Sequence, residues 1–271
     1  MNILGEIVSH KRKLIEERKA LYPIALLEQS IYFQNPVVSL KEYLLRPDKS
    51  GIIAEFKRKS PSKGMINPYA QVEEVSIGYM QAGASALSVL TDQAFFAGKN
   101  EDLQTARKYN FCPILRKDFI IDPYQVFEAR AIGADAILLI AEVLSAEKVH
   151  SLAGLARSIG LEVLLEIHSE KQLHKICPEV TVVGVNNRNL EDFSVSIETS
   201  LALAEQIPSA FTRISESGIS SPEAIVTLRQ AGFQGFLIGE HFMKTADPAK
   251  TCRQFIQEVE DQLQSLEKAN A

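Results

Sequence analysis

Short apolar segments alternate with amphipathic segments along most of the chain from Gly51 onward. Eight apolar segments have the length and continuous hydrophobicity of strands that are covered on both faces: Ile52–Phe56, Ala86–Leu90, Pro113–Leu115, Ala136–Ile140, Val163–Ile167, Val182–Val185, Thr212–Ile214 and Gly235–Ile238. Between them, apolar residues at helical spacing predict helices at Tyr69–Gln81, Pro123–Ile132, Ala146–Ser158, Glu198–Gln206 and Pro222–Gln230. This alternation predicts parallel strands joined by right-handed connections.

Two architectures are compatible with the alternation, a closed barrel and an open, doubly wound sheet. The open sheet normally carries a glycine-rich turn between its first strand and first helix. The corresponding turn here, residues 57–64, is basic and contains Pro61. Eight repeats of similar size therefore favour the α/β class and a single (β/α)8 TIM barrel, with the open sheet as the alternative.

The first fifty residues follow a different pattern. Apolar residues separated by charged residues recur near helical spacing at Ile3, Leu4, Ile7, Val8, Leu14 and Ile15. Three prolines then divide the segment into short pieces, namely Pro23, Pro36 and Pro47. We therefore predict an N-terminal helical extension of residues 1–50 that packs on a catalytic barrel of residues 51–271.

Composition narrows the range of partners. A chain of 271 residues that is 46% hydrophobic can bury a large core, and its net charge of −5 argues against a nucleic-acid partner. The N-terminus lacks the apolar run of a signal peptide, and no run is long enough to span a membrane. We expect a cytoplasmic monomer without an obligate protein partner. No metal is expected, because zinc-site spacing is absent around Cys112, Cys177 and Cys252.

Charged residues occur where the predicted strands end, which is where barrel enzymes carry their active sites. Glu55 and Lys57 lie at the end of the first strand, Lys117 follows the third, and Glu166 lies near the end of the fifth. Alternate residues of a strand point the same way, so Glu55 and Lys57 should face one side. Two lysines and two carboxylates in an apolar barrel would shift each other's pKa values and allow acid–base chemistry. Structural ion pairs around the barrel rim are the alternative.

The ends of the last two strands point to phosphate binding. Two segments occupy the loops in which such barrels often bind phosphate through backbone amides, namely Glu216-Ser217-Gly218 and Ile238-Gly239-Glu240. The alternative is that both glycines serve only as turn residues. His168 and His241 also lie at strand ends, and we expect both to be hydrogen-bonding residues because no metal-ligand spacing accompanies them.

The chain contains six segments with a characteristic order and spacing: IIAEFKRKSPSKG, LRKDFIIDPYQ, LLEIH, VGVNNRNL, ISESGI and FLIGE. They resemble the indole-3-glycerol-phosphate synthase family, as do LSVLTDQAFFAG and the N-terminal ILGEIVSHKRKLIEERKA. The resemblance covers nearly the whole chain. It implies a lyase of tryptophan biosynthesis that closes the indole ring of 1-(2-carboxyphenylamino)-1-deoxyribulose 5-phosphate and releases carbon dioxide and water. It implies neither a metal nor an organic cofactor.

The resemblance also implies catalytic roles. Lys117 would be the general acid that protonates the substrate carbonyl as the aromatic ring attacks it. An ammonium suits this role if the barrel lowers its pKa toward neutrality. Glu166 would stabilise the cationic charge that develops before decarboxylation. Glu55 and Lys57 would serve substrate binding and the later dehydration.

Further residues would contact the substrate according to the resemblance. Asn186, in preference to Asn187, would contact the sugar hydroxyls. Ser60 and Arg188 would lie near the substrate carboxylate, and Phe119 would form part of the apolar wall around the anthranilate ring.

The phosphate site would be lined by Ser217, Gly218 and Gly239, with Glu216 and Glu240 in the same segments. Glu240 departs from the commonest family pattern. A carboxylate aimed at phosphate would be repelled, so we expect this side chain to point away while its backbone amide donates.

Two other functions are alternatives to this one. Another phosphate-binding barrel, such as a phosphoribosylanthranilate isomerase, would be expected to carry a Cys/Asp or paired-Asp set instead of Glu55, Lys57 and Lys117. A non-catalytic barrel used as a binding protein would not be expected to keep these residues together with Glu166.

Overall fold

The computed structural model describes residues 3–189 and 193–270. The predicted extension begins at Met1 and the predicted barrel ends at Ala271, and both residues lie outside the described residues. Leu190, at the end of the segment VGVNNRNL, lies outside them as well. The helices are α1 (Ile3–Leu21), α2 (Ile24–Leu27), α3 (Leu40–Leu45), α4 (Val72–Gln81), α5 (Gln93–Phe96), α6 (Asn100–Tyr109), α7 (Pro123–Ala131), α8 (Ala146–Ser158), α9 (Glu198–Leu203), α10 (Pro222–Gln230), α11 (Glu240–Met243) and α12 (Pro248–Asn270). The strands are β1 (Ile52–Phe56), β2 (Lys59–Ser60), β3 (Gly64–Met65), β4 (Ala86–Leu90), β5 (Ile114–Lys117), β6 (Ala136–Ile140), β7 (Glu162–Ile167), β8 (Val182–Asn186), β9 (Thr212–Glu216) and β10 (Gly235–Ile238).

Eight parallel strands close into a barrel in the order β1-β10-β9-β8-β7-β6-β5-β4. The closure occurs at β1, where Ile53 pairs with Leu237 of β10 on one side and with Ala86 of β4 on the other. The predicted (β/α)8 barrel is therefore confirmed, and the open sheet is wrong. The hairpin of β2 and β3, in the loop after β1, was not predicted.

At their carboxyl ends, three barrel strands extend beyond the apolar residues that predicted them. β5 ends at Lys117, β8 at Asn186 and β9 at Glu216. The hydrogen bonds between neighbouring strands join main-chain groups, so strand pairing can continue through polar residues. Asn186 at the end of β8, for example, pairs with Glu216 at the end of β9. These polar residues thus lie on strands, and the barrel determines their orientation.

The helices differ from the prediction mainly at their ends and in number. α9 ends at Leu203 rather than at Gln206, and Pro208 follows closely, which disfavours helix in the preceding residue. Four helices, α5, α6, α11 and α12, had not been predicted. Among the described residues, no helix combines the length and the apolar character that crossing a membrane requires.

The core has two layers, because each barrel strand is covered both inside and outside. The inner layer fills the barrel with buried side chains that include Ile53, Leu115, Leu164 and Ile214. α3 closes the end at which the strands begin, since Leu40 and Leu44 pack into this inner layer. Residues two positions further along each strand face the same interior, and they are the residues of the site described below.

Asp135, a buried residue directly before β6, joins the N-terminal segment to the barrel. Its Oδ1 accepts a hydrogen bond from the Val38 amide at 2.8 Å, and its Oδ2 accepts one from the Ile114 amide at 2.7 Å. The guanidinium of Arg107 pairs with the same carboxylate. One side chain therefore links residues that precede the barrel to two of its units, although the division at residue 50 stays a prediction.

Replacing Asp135 with alanine should lower the free energy of unfolding by about 3–5 kcal/mol, the range for breaking a buried ion pair. The change leaves the Arg107 guanidinium, the buried Ile114 amide and the partly buried Val38 amide without their acceptor. Urea unfolding followed by circular dichroism measures it. Asp261→Ala, at an exposed position of α12, is the control and should change stability by less than about 0.5 kcal/mol. Equal stability of the two variants would contradict this role of Asp135.

Candidate active site

A pocket opens at the end of the barrel where the strands finish. Five of its polar side chains come from the last or next-to-last residues of barrel strands, namely Glu55, Lys117, Glu166, Asn186 and Glu216. Each of them continues the interior-facing register of its strand. Barrel closure therefore brings together side chains that are far apart in the sequence.

Lys117 lies between two buried carboxylates. Its Nζ is 2.8 Å from Glu166 Oε2 and 2.6 Å from Glu216 Oε2. Glu216 had been grouped with the phosphate segments, but its side chain points into the barrel. The missing side chain of Gly184 leaves room for it, since a Cβ atom there would overlap the Glu216 carboxylate. A glycine inside a strand often marks such a close approach, and this was the signal in the sequence.

Burial and neighbouring charges act on these three groups in different proportions. Burial alone would lower the pKa of Lys117, but the carboxylates of Glu166, Glu216 and Glu55 outweigh it and raise the pKa above its ordinary value. Burial raises the pKa of Glu216 to about 7, and the nearby Glu166 reinforces the shift. Burial of Glu166 is outweighed by Lys117, and its pKa falls to about 2.

The expectation that the barrel lowers the pKa of Lys117 toward neutrality is therefore wrong. Two carboxylates at hydrogen-bonding distance stabilise the ammonium more than burial destabilises it. One cation between two buried carboxylates leaves Glu166 ionised, while Glu216 can hold a proton near neutral pH.

Glu55 and Lys57 form a second ion pair in the pocket, with 2.6 Å between Lys57 Nζ and Glu55 Oε1. The other carboxylate oxygen of Glu55 lies 3.5 Å from Ser88 Oγ. Gly239 lies directly beside this carboxylate, because a Cβ atom there would be 2.5 Å from Glu55 Oε1. The close approach of Glu55 to the residue after β10 therefore favours a glycine at position 239.

Asn186 and Asn187 have different environments. The buried Asn187 amide donates to the hydroxyl of Ser215 and the carbonyl of Ser217, and it accepts hydrogen bonds from Ser200. These bonds tie β8 to β9 and α9. Asn186 instead lines the pocket, so it is the one of the two that can contact a substrate.

A neighbouring cavity lies against the loops after β9 and β10. Ser217 and Gly218, which line it, have φ angles of 68° and 74°. A side chain at position 218 would be strained at this φ and would also overlap Val195. Gly239 lines the same cavity, so the two predicted phosphate segments do meet in space.

Glu240 also lines this cavity, which differs from the expectation that its side chain points away. Its carboxylate lies 3.5 Å from Arg188 Nη2 and 3.7 Å from Lys63 Nζ. Two cations thus offset the negative charge at the mouth. Arg188 and Ser60, the residues predicted near a substrate carboxylate, both line the main pocket.

Part of the main pocket is apolar. The rings of Phe96 and Phe119 line it with their centroids 6.2 Å apart. Ile3, Leu4 and Ile7 of α1 line it as well. The apolar face of α1 had been predicted, but its place at the pocket depends on the tertiary structure.

The prediction that His168 and His241 form hydrogen bonds is wrong for both ring nitrogens of His168 and for Nδ1 of His241. Neither ring nitrogen of His168 has a hydrogen-bond partner among the described residues, although Nε2 lies 3.5 Å from Glu166 Oε1. The buried Nδ1 of His241 likewise has none in that part of the chain, and its ring packs on Phe242 and Phe255.

One group of side chains in the described part of the chain could hold a metal ion. It combines His150, Cys177 and Glu179, whose ligand atoms all lie within 4.8 Å of one another. The three residues line neither cavity, and the pocket chemistry described above involves none of them.

The substitution Glu216→Gln should change how stability depends on pH. A raised pKa means that the folded protein still binds a proton that the unfolded chain has released. Between the ordinary pKa of 4.5 and about 7, the wild-type protein should therefore lose stability as pH rises. At about 1.4 kcal/mol per pKa unit, the loss is about 3 kcal/mol, and the variant, which cannot ionise there, should not show it.

Urea unfolding at about pH 5 and about pH 8 measures this difference. Glu170→Gln, at an exposed position after β7, is the matched control and should follow the wild type. If Glu216→Gln differed from the wild type by the same amount at both pH values, the raised pKa of Glu216 would be wrong.

Comparison with known proteins places this site in a family. The sequence model described as "Indole-3-glycerol phosphate synthase" matches residues 4–255. An indole-3-glycerol phosphate synthase of Bacteroides thetaiotaomicron is 49% identical over 259 residues, which are 96% of this chain and 99% of that protein. The corresponding protein of Salinibacter ruber is 43% identical over 253 residues, covering 92% of this chain and 93% of the relative.

Solved structures support the fold alone, since their sequence identities are low. The tryptophan synthase alpha subunit of Legionella pneumophila has a TM-score of 0.60 at 14% identity, covering 82% of this chain and 95% of its own. The 3-hexulose-6-phosphate synthase of Salmonella typhimurium has a TM-score of 0.60 at 12% identity, covering 78% and 99%. The family match over residues 4–255 and the two close relatives together show that the chain belongs to the indole-3-glycerol phosphate synthase family.

Proposed function

We propose that the pocket closes the indole ring of 1-(2-carboxyphenylamino)-1-deoxyribulose 5-phosphate to give indole-3-glycerol phosphate, a step of tryptophan biosynthesis. The observation that carries this proposal is the ammonium of Lys117 between the buried carboxylates of Glu166 and Glu216. The reaction must protonate a carbonyl oxygen and stabilise positive charge a few ångströms away. A carboxy-lyase acting on a phosphorylated small molecule would use such an arrangement for both tasks.

Lys117 is the proton donor of the first step. The ring carbon that carries the carboxylate attacks the ketone carbon, a C–C bond forms, and the carbonyl oxygen takes a proton from Lys117 to become a hydroxyl. Glu166 and Glu216 accept hydrogen bonds from Nζ, which leaves the third N–H for the substrate. The raised pKa keeps Lys117 charged beforehand, and the carbonyl oxygen becomes a stronger base as the new bond forms.

Glu166 acts on the charge that this attack creates. The ring and the substrate nitrogen become cationic, and an ionised carboxylate nearby stabilises them. The lowered pKa of Glu166 keeps it ionised. Loss of carbon dioxide then returns the electron pair of the broken C–C bond to the ring. Glu216, with its pKa raised to about 7, can return a proton to Lys117 near neutral pH.

Glu55 and Lys57 serve the dehydration. Water leaves from the hydroxylated carbon, and the neighbouring methylene carbon gives up a proton, which forms the remaining double bond of indole. An ammonium can protonate the departing hydroxyl while a carboxylate accepts the carbon-bound proton. The pair, 2.6 Å apart, offers both groups in one place.

The substrate contacts follow the chemistry of the lining. Asn186 binds the sugar hydroxyls, Arg188 and Ser60 bind the carboxylate, and Phe119 packs on the anthranilate ring. Four residues in the loops after β9 and β10 bind the phosphate group, namely Ser217, Gly218, Gly239 and the backbone of Glu240. The charge of the Glu240 side chain is offset by Arg188 and Lys63.

These steps release carbon dioxide and water without net oxidation or reduction, so they call on no redox cofactor. We also propose that the chain works in the cytoplasm as a monomer without an obligate protein partner. Its three free cysteines suit a reducing compartment. Size-exclusion chromatography with light scattering measures the molar mass in solution, which should be that of one chain, about 30.1 kDa.

Lys117→Ala should lower turnover by about 100-fold or more, the contribution expected of a positioned general acid. The chain contains no tryptophan, so indole fluorescence from the product rises against a dark background. The assay mixes purified protein with the carboxyphenylamino-deoxyribulose phosphate. Lys171→Ala, at an exposed position after β7, controls for loss of a lysine. Near-wild-type turnover by a folded Lys117→Ala would overturn the assignment of the acid.

Glu166→Gln should lower kcat by about 100-fold with a smaller change in KM, because the carboxylate stabilises charge that appears only during reaction. Glutamine keeps the size of the side chain and removes its charge. The same fluorescence assay separates kcat from KM, and Glu170→Gln is the matched control. An unchanged kcat would rule out charge stabilisation by Glu166.

A further inference from the structure

A lysine of the N-terminal helix is buried between two carboxylates next to the pocket. Lys11 is only 2% exposed, and its Nζ lies 2.9 Å from Asp92 Oδ2 and 2.7 Å from Asp118 Oδ1. Burial opposes its charge, but the two carboxylates outweigh burial and raise its pKa. Lys11 is therefore a fixed cation that joins α1 to the loops after β4 and β5.

Each of the two carboxylates also fixes the backbone of a loop that carries an aromatic ring of the pocket. Asp92 accepts a hydrogen bond from the Phe95 amide at 2.7 Å and begins α5, which ends in Phe96. Asp118 follows Lys117 and accepts a hydrogen bond from the Phe119 amide at 2.8 Å. The rings of Phe96 and Phe119 lie next to each other in the pocket lining.

Charge explains why the cation is needed. Asp118 has a second cation, because Arg116 Nη2 lies 3.1 Å from its Oδ2. Asp92 Oδ2 accepts no hydrogen bond within the described residues apart from its ion pair with Lys11. Without Lys11, Asp92 would be a buried, unpaired carboxylate close to another carboxylate, and one of the two loops would have to move.

We infer that Lys11 is a positioning residue for the part of the pocket that Phe96 and Phe119 line. It holds the loops of Asp92 and Asp118 together, and so fixes the spacing of Phe96 and Phe119. It also docks α1, whose first two turns place Ile3, Leu4 and Ile7 on the same pocket. The inference rests on the proposed function in one respect, since that function supplies the anthranilate ring that these groups contact.

Lys11→Met tests the inference, with Lys13→Met, at an exposed position of α1, as its matched control. Lys11→Met should weaken the binding of anthranilate and lower kcat/KM by about 10- to 100-fold, the effect of a misplacement of about 1 Å. The affinity for inorganic phosphate should not change, because the proposed phosphate loops follow β9 and β10 and do not contain Asp92 or Asp118. Anthranilate fluorescence measures its binding without turnover, and calorimetry measures phosphate.

The double variant Lys11→Met/Asp92→Asn separates positioning from general stability and guards against a single variant that does not fold. Asparagine keeps the helix cap of α5 and removes the unpaired charge. It should restore thermal stability and part of the anthranilate affinity. A Lys11→Met protein with a lower melting temperature but unchanged anthranilate affinity and kcat/KM would make Lys11 merely structural and overturn the inference.

The failure of the proposed function gives a different result. In one such result, the wild-type protein binds anthranilate but does not turn over the substrate, and Lys11→Met does not bind anthranilate. That result would overturn the proposed function and keep the positioning role of Lys11. In the opposite result, the wild-type protein turns over its substrate and Lys11→Met keeps full affinity for anthranilate. That result would keep the proposed function and overturn the positioning role of Lys11.

Discussion

Closure of the parallel sheet is the constraint on which the rest of this structure depends. It places the carboxyl ends of eight strands on one ring and sends alternate residues of each strand into the interior. The first residues of the strands fill that interior with apolar side chains, and the last residues carry charge. One alternating register therefore produces both the core and the site above it.

The charges of the site must be balanced because they are buried together. Three of the carboxylates that line the pocket, those of Glu55, Glu166 and Glu216, lie in ion pairs with two ammonium groups, and the Lys117 ammonium lies between two of them. Burial alone would lower the pKa of Lys117, but the carboxylates at hydrogen-bonding distance outweigh burial and raise that pKa. Because these carboxylates outnumber the ammonium groups, one of them takes up a proton most readily. Glu216 is that carboxylate, since its pKa is raised to about 7.

The extension is joined to the barrel by buried polar contacts at two levels. Near the end at which the strands begin, Asp135 binds the Val38 amide, and near the end at which they finish, Lys11 pairs with Asp92 and Asp118. Buried charges are costly unless they are paired, so the pairing of Lys11 with the two carboxylates specifies one position for α1. That position supplies an apolar part of the pocket which the barrel strands do not provide.

The type of each element, and four residues of the site, could be predicted from the sequence because they depend on local pattern. Hydrophobic periodicity predicted all eight barrel strands, and the charged residues at or just after their carboxyl ends included Glu55, Lys57, Lys117 and Glu166. The tertiary structure alone decided the orientation of Glu216 and the docking of α1 through Lys11. It also decided the direction of the pKa shift of Lys117. Each of these depends on distances between residues remote in the chain, and a pattern along one chain does not contain those distances.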